Sequence, residues 1–394
     1  MTKLPEFDLD PVAKEFRKEV RQWLSENWND THRAAQKQLP FQDRGWDQDF
    51  ASALGRKGWI GAGWPAEAGG LDLSPAEQLV LTEEMEYAKA PIGHIVGDTM
   101  LAPSIIKFGS EKQKAEYLPR IKSGEIIFGL GYSEPEAGSD LASLKTRAVR
   151  ADGGWRINGQ KMWSTGTDKS NHIWLAARTD PDAKPRHAGI SVFIVPTKSE
   201  GLTVTPGFAM YGKTFCELHF DNVWLPEDAL VGEENKGWAI ITSALAAERV
   251  TIGATVALVQ RGLDMLTDYI ATAEVDGQKL REDPVILDKL GALGADIEAA
   301  RQLALRNTRM AAQGRMPIHE ASMAKVFVAE LQGRLGETAL DILGSGGLLS
   351  EGVPGAPAGE LEQILRHTIM QILGGGASEI QRNIIALQGV GLPR

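Results

Sequence analysis

Two polar stretches decide the fold: residues 131–140 read Gly-Tyr-Ser-Glu-Pro-Glu-Ala-Gly-Ser-Asp, and residues 158–166 read Asn-Gly-Gln-Lys-Met-Trp-Ser-Thr-Gly. Between them lie two short runs rich in alternating apolar residues, 145–149 and 155–157, and Asp-Gly-Gly at residues 152–154 separates these runs. An Asp-Gly pair between alternating runs is a strong signal for a β-hairpin. We therefore expect a small β-domain that presents both polar stretches as loops.

The two loops have the composition of a binding site for a planar, polar ligand. Glycine-containing loops expose backbone N–H groups, short hydroxyl side chains add hydrogen bonds, and Trp163 in the second loop offers an aromatic face for stacking. Either loop alone is better explained as an ordinary turn, with Trp163 in the protein core. Both loops together, in this order, favour the binding interpretation.

The composition argues against several classes of function. The chain has 394 residues and a formal net charge of −10, and without a basic stripe we expect no nucleic-acid partner. The seven histidines show no metal-ligand spacing, so no metal site is expected. No run approaches the roughly 20 apolar residues of a membrane span. The single cysteine, Cys216, cannot form an internal disulfide, so we expect a reducing, cytoplasmic location.

The sequence predicts an α+β multi-domain fold with three domains. Helical periodicity, with capping boxes at Ser74 and Ser110, indicates an N-terminal helical domain at residues 1–125. Short β-rich runs bounded by Pro, Gly and Asp indicate a middle β-domain at residues 126–232, which contains both loops. The pattern of residues 233–394 is helical again and predicts a C-terminal four-helix bundle. Helices in this last domain are expected to begin near Trp238, Pro284, Ile318 and Glu360.

Together, the two stretches resemble the flavin-binding segment of the acyl-CoA dehydrogenase family. That family has a strand ending in [Tyr/Val]-[Thr/Ser]-Glu-Pro-x-x-Gly-Ser-Asp, followed further along by Asn-Gly-x-Lys-x-[Trp/Tyr]-[Ile/Ser]-[Thr/Ser]. Both halves stand here almost unbroken, and the resemblance extends to the closing Ser-Glu-Ile-Gln-Arg at residues 378–382. It implies the acyl-CoA dehydrogenase fold, with an N-terminal helical domain, a middle β-domain and a C-terminal four-helix bundle.

The resemblance implies an FAD-dependent enzyme that dehydrogenates an acyl-CoA thioester and passes the electrons to an electron-transfer flavoprotein. A carboxylate removes the α-proton while the β-hydrogen leaves as hydride to the flavin. This chemistry requires a base whose pKa rises on desolvation. It also requires hydrogen-bond donors at the thioester oxygen, where enolate charge develops. Bulky sterol-type and dicarboxylic acyl groups are both compatible with the resemblance.

The resemblance offers two positions for the base. One position aligns with Gly375, which has no carboxylate, so we expect Gly375 only to contact the substrate. The other lies in the first bundle helix, where Glu248 and Arg249 stand among apolar residues, a setting that raises a carboxylate pKa. We expect Glu248 to be the catalytic base and Arg249 to bind the substrate. The alternatives are that Glu248 pairs with an arginine or faces solvent, that Arg249 is a structural ion pair, and that Glu379 is the base.

The cofactor contacts also follow from the resemblance. Ser139, at a turn rich in N–H groups, is expected near the flavin pyrophosphate or the CoA phosphates. Glu134 and Asp140 are expected to form turns, which is the commoner role of acidic residues there. The residues that the resemblance places against FAD are Tyr132, Ser133, Ser139, Trp163, Ser164, Thr165 and Glu379.

Two family signatures are altered, and the loss of the first predicts a second chain. The other, Gln-[Ile/Leu]-[Phe/Leu]-Gly-Gly, reads Asp-Ile-Leu-Gly-Ser at residues 341–345. In this family each flavin is completed by the neighbouring subunit through Arg-x-x-Phe-Gly, but residues 273–277 here read Ala-Glu-Val-Asp-Gly. Acidic groups near a phosphate are repulsive, so we expect a tetramer of the α2β2 type with a second acyl-CoA dehydrogenase-like chain. This pattern looks most like bacterial dehydrogenase subunits for sterol side-chain CoA esters. The alternative is a homotetramer in which Lys279 or Arg281 reaches the phosphates.

Two other functions stay open on the sequence alone. A flavin monooxygenase or oxidase of the same fold is compatible with an acidic residue at the base position. A non-catalytic partner subunit of a hetero-oligomeric dehydrogenase is compatible with flavin loops that are retained only as scaffold. Anaerobic titration with acyl-CoA distinguishes these functions from a dehydrogenase.

Overall fold

The structure, a computed structural model, describes residues 4–6, 8–212, 214–250, 253–351, 353–354, 356 and 360–393, with the backbone alone at residues 246, 248–250, 253 and 254. The chain forms two compact units. The first comprises residues 1–29, 74–90 and 249–394, and the second comprises residues 30–73 and 91–248. The first unit is mainly helical and the second combines helices with a large β-sheet, so the predicted α+β composition is confirmed.

The helices follow the predicted pattern. Ser74 and Ser110 form the predicted capping boxes. Each hydroxyl accepts a bond from the backbone N–H of the third helical residue, and the side chain of that residue accepts one from the backbone N–H of the serine. A π-helical segment, Val96–Leu101, precedes α5, and a second, Ile385–Val390, follows α12. The α-helices are α1 (Pro11–Asn27), α2 (Asp30–Gln38), α3 (Gln48–Lys57), α4 (Pro75–Tyr87), α5 (Ala102–Phe108), α6 (Glu111–Lys122), α7 (Gly237–Val250), α8 (Gly253–Thr272), α9 (Pro284–Ala312), α10 (His319–Leu343), α11 (Leu361–Leu373) and α12 (Ser378–Ile384).

Over the described residues, eight strands form one sheet in the order β6-β7-β3-β2-β4-β5-β8, with β1 parallel to β4. The predicted hairpin is confirmed, because β2 and β3 are antiparallel and are joined by Asp152 and Gly153, both with positive φ (54° and 72°). A separate hairpin joins β9 to β10. The strands are β1 (Phe128–Gly131), β2 (Arg147–Ala151), β3 (Gly154–Thr165), β4 (His172–Arg178), β5 (Ile190–Pro196), β6 (Leu202–Phe208), β7 (Thr214–Pro226), β8 (Leu230–Val231), β9 (Glu274–Val275) and β10 (Gln278–Lys279).

The second polar stretch is a strand, so its prediction as a loop is wrong. Residues 158–165 continue β3 and pair with β7, with register shifts between Ile157 and Gly159 and between Lys161 and Ser164. Gly159 permits the first irregularity, because its φ is 146° and an added Cβ would lie 2.7 Å from Thr146 Cα. Irregular pairing re-aims side chains in an otherwise continuous strand, which is how a polar segment at a site remains part of a sheet.

The core of the second unit lies under the sheet and fixes the positions of the strands that carry the site. Trp155 of β3 is fully buried and contacts Phe193 of β5 edge-on, with the ring centroids 5.1 Å apart. Burying such aromatic side chains contributes about 1.5–3 kcal/mol each by area alone. The other buried residues of this cluster are Ala148, Ile157, Ile173, Leu175, Ala177, Val195, Cys216, Leu218, Phe220, Val223, Leu225 and Ala229.

The first unit contains the helical bundle formed by α8, α9, α10 and α11. Two helices from the start of the chain join it, since α4 packs against α8 and α9, and α1 packs against α4. The fully buried guanidinium of Arg17 pairs with Glu83 and Glu84, which links α1 to α4. Within residues 1–125, α1 and α4 belong to the first unit and the other helices belong to the second. The predicted domain boundaries at 125/126 and 232/233 therefore stay a prediction.

Candidate active site

The first polar stretch is a tight turn that follows β1. Glu134 and Ala137 exchange two backbone hydrogen bonds, of 3.0 and 3.1 Å, which closes the turn. The Glu134 carboxylate accepts bonds from the backbone N–H groups of Lys145 (2.6 Å) and Thr146 (2.8 Å). Glu134 is therefore a turn-former, as predicted, and holds the loop against the segment that leads into β2.

A buried ion pair joins this loop to β3. The ammonium of Lys161, which is fully buried, lies 2.8 Å from the Glu134 carboxylate. Burial raises the pKa of Glu134, but the charge of Lys161 and the bonds from Lys161, Thr146 and Lys145 outweigh it and hold the pKa below its ordinary value. Burial lowers the pKa of Lys161 to about 8 although Glu134 opposes that shift, so the pair is charged at neutral pH.

Three further hydrogen bonds attach β3 to the first loop and to β1, the strand that precedes it. Lys161 Nζ donates to the Tyr132 carbonyl (3.0 Å), and the Met162 N–H donates to the Ser133 carbonyl (3.0 Å). The Ser164 hydroxyl donates to the Leu130 carbonyl (2.6 Å). The two polar stretches, which are separate in sequence, are thus one rigid arrangement in which both carbonyls of the Tyr132–Ser133 pair are already used.

The backbone N–H and the hydroxyl of Ser133 remain available as hydrogen-bond donors to a ligand. Among the described residues, neither the Ser133 N–H nor its hydroxyl has a hydrogen-bond acceptor, and the side chain is half-buried. Tyr132 is buried at 8% exposure, so it contributes packing beneath the loop. Ser139 is exposed at the far end of the same turn.

Trp163 is not a core residue. Its side chain is 59% exposed and its φ is 62°, a left-handed conformation that is rare for a bulky residue and is found mostly at functional sites. The indole rests against Phe215 of β7, with the ring centroids 4.6 Å apart. One apolar face is thereby supported from within the sheet while much of the ring remains accessible, which suits stacking against a planar ligand.

The two hydroxyls that follow Trp163 differ in their surroundings. Thr165 is exposed, and its hydroxyl lies 3.4 Å from that of Tyr211. Ser164 is buried, and its hydroxyl bonds to the Leu130 carbonyl and lies 2.6 Å from the hydroxyl of Thr167. Thr165 is therefore placed to contact a ligand, whereas the Ser164 hydroxyl serves the scaffold and its predicted cofactor contact would have to use the backbone.

The predicted base and its neighbour lie on α7, but the side chains of Glu248 and Arg249 are outside the described residues. In the other unit, Gly375 lies in the turn between α11 and α12 with a φ of 63°. Glu379, in the first turn of α12, is exposed. The structure thus brings Tyr132, Ser133, Trp163, Ser164 and Thr165 together, while the predicted roles of all site residues stay predictions.

Comparison with known proteins decides the family. Models of the acyl-CoA dehydrogenase N-terminal, middle and C-terminal domains match residues 10–125, 129–223 and 235–389. The chain belongs to the acyl-CoA dehydrogenase family. The predicted family and its fold are therefore confirmed, and the chain is an oxidoreductase that acts as an acyl-CoA dehydrogenase.

Individual relatives cover nearly the whole chain. Acyl-CoA dehydrogenase FadE26 from Mycobacterium tuberculosis is 34% identical over 98% of this chain and 98% of its own length, and FadE29 from the same organism is 35% identical over the same shares. Among solved structures, the Tcur3481-Tcur3483 steroid ACAD is 36% identical, with a TM-score of 0.89 over 99% of this chain and 100% of its own. The ChsE4-ChsE5 complex from M. tuberculosis is 34% identical, with a TM-score of 0.90 over the same shares.

Sequence reasoning missed the supporting residues of the site. Lys161 stands in the family motif, but the sequence does not show that its ammonium is buried against Glu134. The only signal is that a lysine and a glutamate occur at fixed places in the two stretches.

The structure also shows no group of three or more His, Cys, Asp or Glu fit to hold a metal in the described part of the chain. Within those same residues, no helix has the length and apolar character that crossing a membrane requires.

Proposed function

We propose that the chain uses FAD to convert an acyl-CoA thioester into the α,β-unsaturated thioester. The observation that carries the cofactor is the accessible indole of Trp163, held at positive φ beside the donors of Ser133 and the hydroxyl of Thr165. A supported aromatic face with adjacent hydrogen-bonding groups fits a planar ring that is apolar on its faces and polar at its edge.

FAD, when bound, would supply the acceptor for the β-hydrogen as a hydride. Its ring would be held by Ser133, Trp163 and Thr165, with Tyr132 packed beneath the loop and Ser164 holding β3 in place. Ser139, exposed on the same turn, would contact phosphate groups, and Glu379 would contact the cofactor from α12. The chain itself would contribute orientation. When the flavin ring and the substrate are both held in place, the reaction avoids the entropy cost of bringing them together.

Glu248 is the proposed base. The first half of α7 is strongly apolar, with Ile240, Ile241 and Ala244 buried, and Glu248 follows one turn after Ala244. A desolvated carboxylate has a raised pKa and can accept and hold the α-proton, which is the role proposed for Glu248. Arg249 is the proposed substrate-binding residue beside it, and Gly375 leaves the other family position without a carboxylate.

The proposed substrate is a CoA ester with a bulky, steroid-side-chain-like acyl group. Support comes from the steroid ACAD, which is 36% identical and matches over nearly the whole chain. We further propose that an electron-transfer flavoprotein in the cytoplasm accepts the electrons.

The proposed assembly is α2β2 with a second acyl-CoA dehydrogenase-like chain. Two similar structures are complexes or pairs of named chains, Tcur3481-Tcur3483 and ChsE4-ChsE5. In this chain, residues 274–279 form the exposed β9–β10 hairpin, which includes Glu274 and Asp276. Ala273, which replaces the family arginine, directly precedes the hairpin. Both acidic residues would repel a pyrophosphate, so a different chain is needed to supply a cation.

An anaerobic titration with a panel of acyl-CoA thioesters tests this function. The flavin-loaded protein should lose its oxidised-flavin absorbance with at least one thioester, and bulky acyl groups should be the most effective. Oxygen consumption with substrates that lack CoA would instead indicate an oxidase or monooxygenase. Absence of bound flavin, both alone and with any partner chain, would indicate a non-catalytic subunit.

A further inference from the structure

The start of α7 is attached by side chains to the ends of two neighbouring strands. Thr179 directly follows β4, Ser191 is the second residue of β5, and Asn235 lies two residues before α7. The Asn235 N–H donates to the Ser191 hydroxyl (2.8 Å), and the hydroxyls of Ser191 and Thr179 lie 2.7 Å apart. The Thr179 hydroxyl lies 2.6 Å from the side-chain oxygen of Asn235. These contacts form a closed ring that begins and ends at Asn235.

The ring has one self-consistent arrangement of its protons. Since the Ser191 hydroxyl accepts from the Asn235 N–H, its own proton is donated to Thr179. The Thr179 proton then goes to the Asn235 side-chain oxygen, which is nearer than the Gly189 carbonyl (2.6 Å against 3.4 Å). Each hydroxyl thus donates once and accepts once, and hydrogen bonds arranged in this way strengthen one another.

Burial makes the three residues depend on one another. Ser191 is fully buried, and Thr179 and Asn235 are half-buried. Asn235 has a φ of 65°, a left-handed conformation that asparagine tolerates better than most residues. A buried hydroxyl that loses its partner keeps the cost of having left water. Removing any one member therefore destabilises the arrangement of the other two.

Close packing holds the first turn of α7 at the same place. Gly237 is buried, and an added Cβ would lie 2.7 Å from Ser191 Cα and 2.8 Å from the Ile190 carbonyl oxygen. Only glycine allows the helix to approach β5 this closely. The next residue, Trp238, lies against His187 with the ring centroids 5.4 Å apart. The start of α7 is therefore fixed by directional bonds and by tight contacts.

The far end of the same helix carries the proposed base. Glu248 lies eleven residues after Gly237, which is about 16 Å at the rise of an α-helix. A tilt of about 4° at the start would therefore move the Glu248 end by about 1 Å. A misplacement of about 1 Å at a reacting group can lower a rate about 10²-fold. The loops proposed to hold the flavin and α7 as far as Glu248 belong to the same compact unit.

Apolar packing alone does not set such an angle. Ile240, Ile241 and Ala244 bury the middle of α7, but the hydrophobic effect is non-directional and resists a small tilt only weakly. Hydrogen bonds depend on angle as well as on distance. The ring therefore supplies the restraint on orientation that the apolar contacts lack.

We propose that Thr179, Ser191 and Asn235 are positioning residues that aim α7 so that the Glu248 carboxylate meets the α-carbon of the substrate. This role rests on the proposed function. In that reaction the α-proton passes to Glu248, the electron pair of the α C–H bond forms the new double bond, and the β-hydrogen leaves with its electron pair to FAD. The ring acts through the placement of the base.

Anaerobic rapid mixing of the flavin-loaded assembly with saturating acyl-CoA tests the role, because it gives the limiting rate of flavin reduction. Thr179→Val keeps the shape of the side chain but removes its hydroxyl, and Ser191→Ala breaks the ring at a second point. Thr179→Ser keeps the hydroxyl and is the rescue variant. Thr203→Val is the matched control, since Thr203 is an exposed threonine of β6 in the same unit.

In Thr179→Val and Ser191→Ala the limiting rate should fall by about 10- to 10²-fold, while the dissociation constants of FAD and acyl-CoA change by less than about threefold. Thr179→Ser and Thr203→Val should stay close to wild type. A double-mutant cycle shows whether the effect passes through the base. In the Glu248→Gln background, Thr179→Val should lower the residual rate no further, because the carboxylate that the ring positions is gone.

A fall by the same factor in both backgrounds would overturn the role, as would wild-type rates in Thr179→Val and Ser191→Ala. Loss of FAD with unchanged chemistry in the loaded fraction would overturn it too. Absence of flavin reduction in the wild type would instead refute the proposed function itself, and this role with it.

Discussion

Glu248 carries the chemical step in this account, although the sequence and not its side-chain geometry assigns it. Replacing it by glutamine keeps size and hydrogen bonding but removes the ability to accept a proton. We expect Glu248→Gln to retain flavin and acyl-CoA binding while the rate of flavin reduction falls by roughly 10²- to 10⁴-fold. Rapid-mixing spectroscopy under anaerobic conditions measures this rate.

Glu379→Gln is the control for that experiment, because Glu379 is the other carboxylate considered and is exposed on α12. Because Glu379 is a proposed cofactor contact, this variant should bind FAD more weakly, but flavin in its loaded fraction should be reduced at nearly the wild-type rate. The opposite result, with Glu248→Gln active and Glu379→Gln inactive, would move the base to Glu379.

Trp163 is expected to matter for cofactor affinity far more than for folding. Since its side chain is 59% exposed, Trp163→Ala should leave the unfolding free energy of the FAD-free protein nearly unchanged. FAD binding should weaken by about 1–3 kcal/mol through lost stacking and lost apolar burial. Excess FAD should raise the melting temperature of the variant towards that of wild type by mass action.

The matched control is Trp224→Ala, an exposed tryptophan of β7 at 44% exposure. Its FAD affinity, measured by fluorescence titration, should equal that of wild type. Equal losses of FAD affinity in both variants would show that Trp163 makes no special contact with the flavin.

Among the structural elements, the first loop and β3 are joined by the Glu134–Lys161 pair. Loss of this pair should lower the free energy of unfolding. Glu134→Gln leaves the buried Lys161 charge without its partner, and breaking one half of a buried pair costs about 3–5 kcal/mol. Glu136→Gln is the control, because Glu136 pairs with Lys145 at the surface, with both side chains mostly exposed, and should cost less than about 1 kcal/mol. Denaturant unfolding at neutral pH measures both.

The Glu134–Lys161 pair also predicts how the free energy of unfolding falls at acidic pH. The pKa of Glu134 is lower in the folded than in the unfolded protein, so the unfolded chain binds more protons in the window between the two values. The contribution of Glu134 is therefore present above its ordinary pKa and is lost as the pH falls through the lowered one. Glu134→Gln should show a shallower loss of stability over this window, and an identical slope in wild type and variant would contradict the pairing.

The strands and helices were largely predictable, and the exceptions have physical reasons. β4 and β5 are continuous apolar runs bounded by turn residues, so their limits follow from composition. Residues 158–165 look like a loop because Asn, Gly, Gln and Lys are poor strand formers, yet pairing with β7 and a bulge at Gly159 keep them in the sheet. The ring of Thr179, Ser191 and Asn235 left no signal in the sequence, because its bonds join residues that are far apart along the chain.

At the scale of the whole molecule, the grouping of helices was not predictable from periodicity. A helical pattern identifies an apolar face but not the element that covers it. The sequence therefore gave no sign that α4 packs with α8 and α9, or that α1 packs with α4. The replacement of the family arginine by Ala273 was visible in the sequence, and the structure places Ala273 directly before the exposed β9–β10 hairpin, which contains Glu274 and Asp276.

That hairpin predicts how flavin content depends on a partner. Expressed alone, the chain should be poor in flavin; co-expressed with an acyl-CoA dehydrogenase-like chain that retains Arg-x-x-Phe-Gly, it should form an α2β2 complex with FAD at each copy of this chain. Absorbance and mass of the purified complex measure both quantities. A fully loaded homotetramer that turns over acyl-CoA would contradict this assembly, and Lys279→Met and Arg281→Met would then identify the phosphate contact.

A single turnover without oxygen, using a steroid-side-chain acyl-CoA that carries deuterium on the β-carbon, tests the proposed dehydrogenation. We predict that oxidised-flavin absorbance disappears in step with formation of an enoyl-CoA that has lost one hydrogen from the α-carbon and one deuterium from the β-carbon. Unaltered thioester together with oxidised flavin, for every acyl group tested and in the fully assembled complex, would show that the chain is not an acyl-CoA dehydrogenase of this kind.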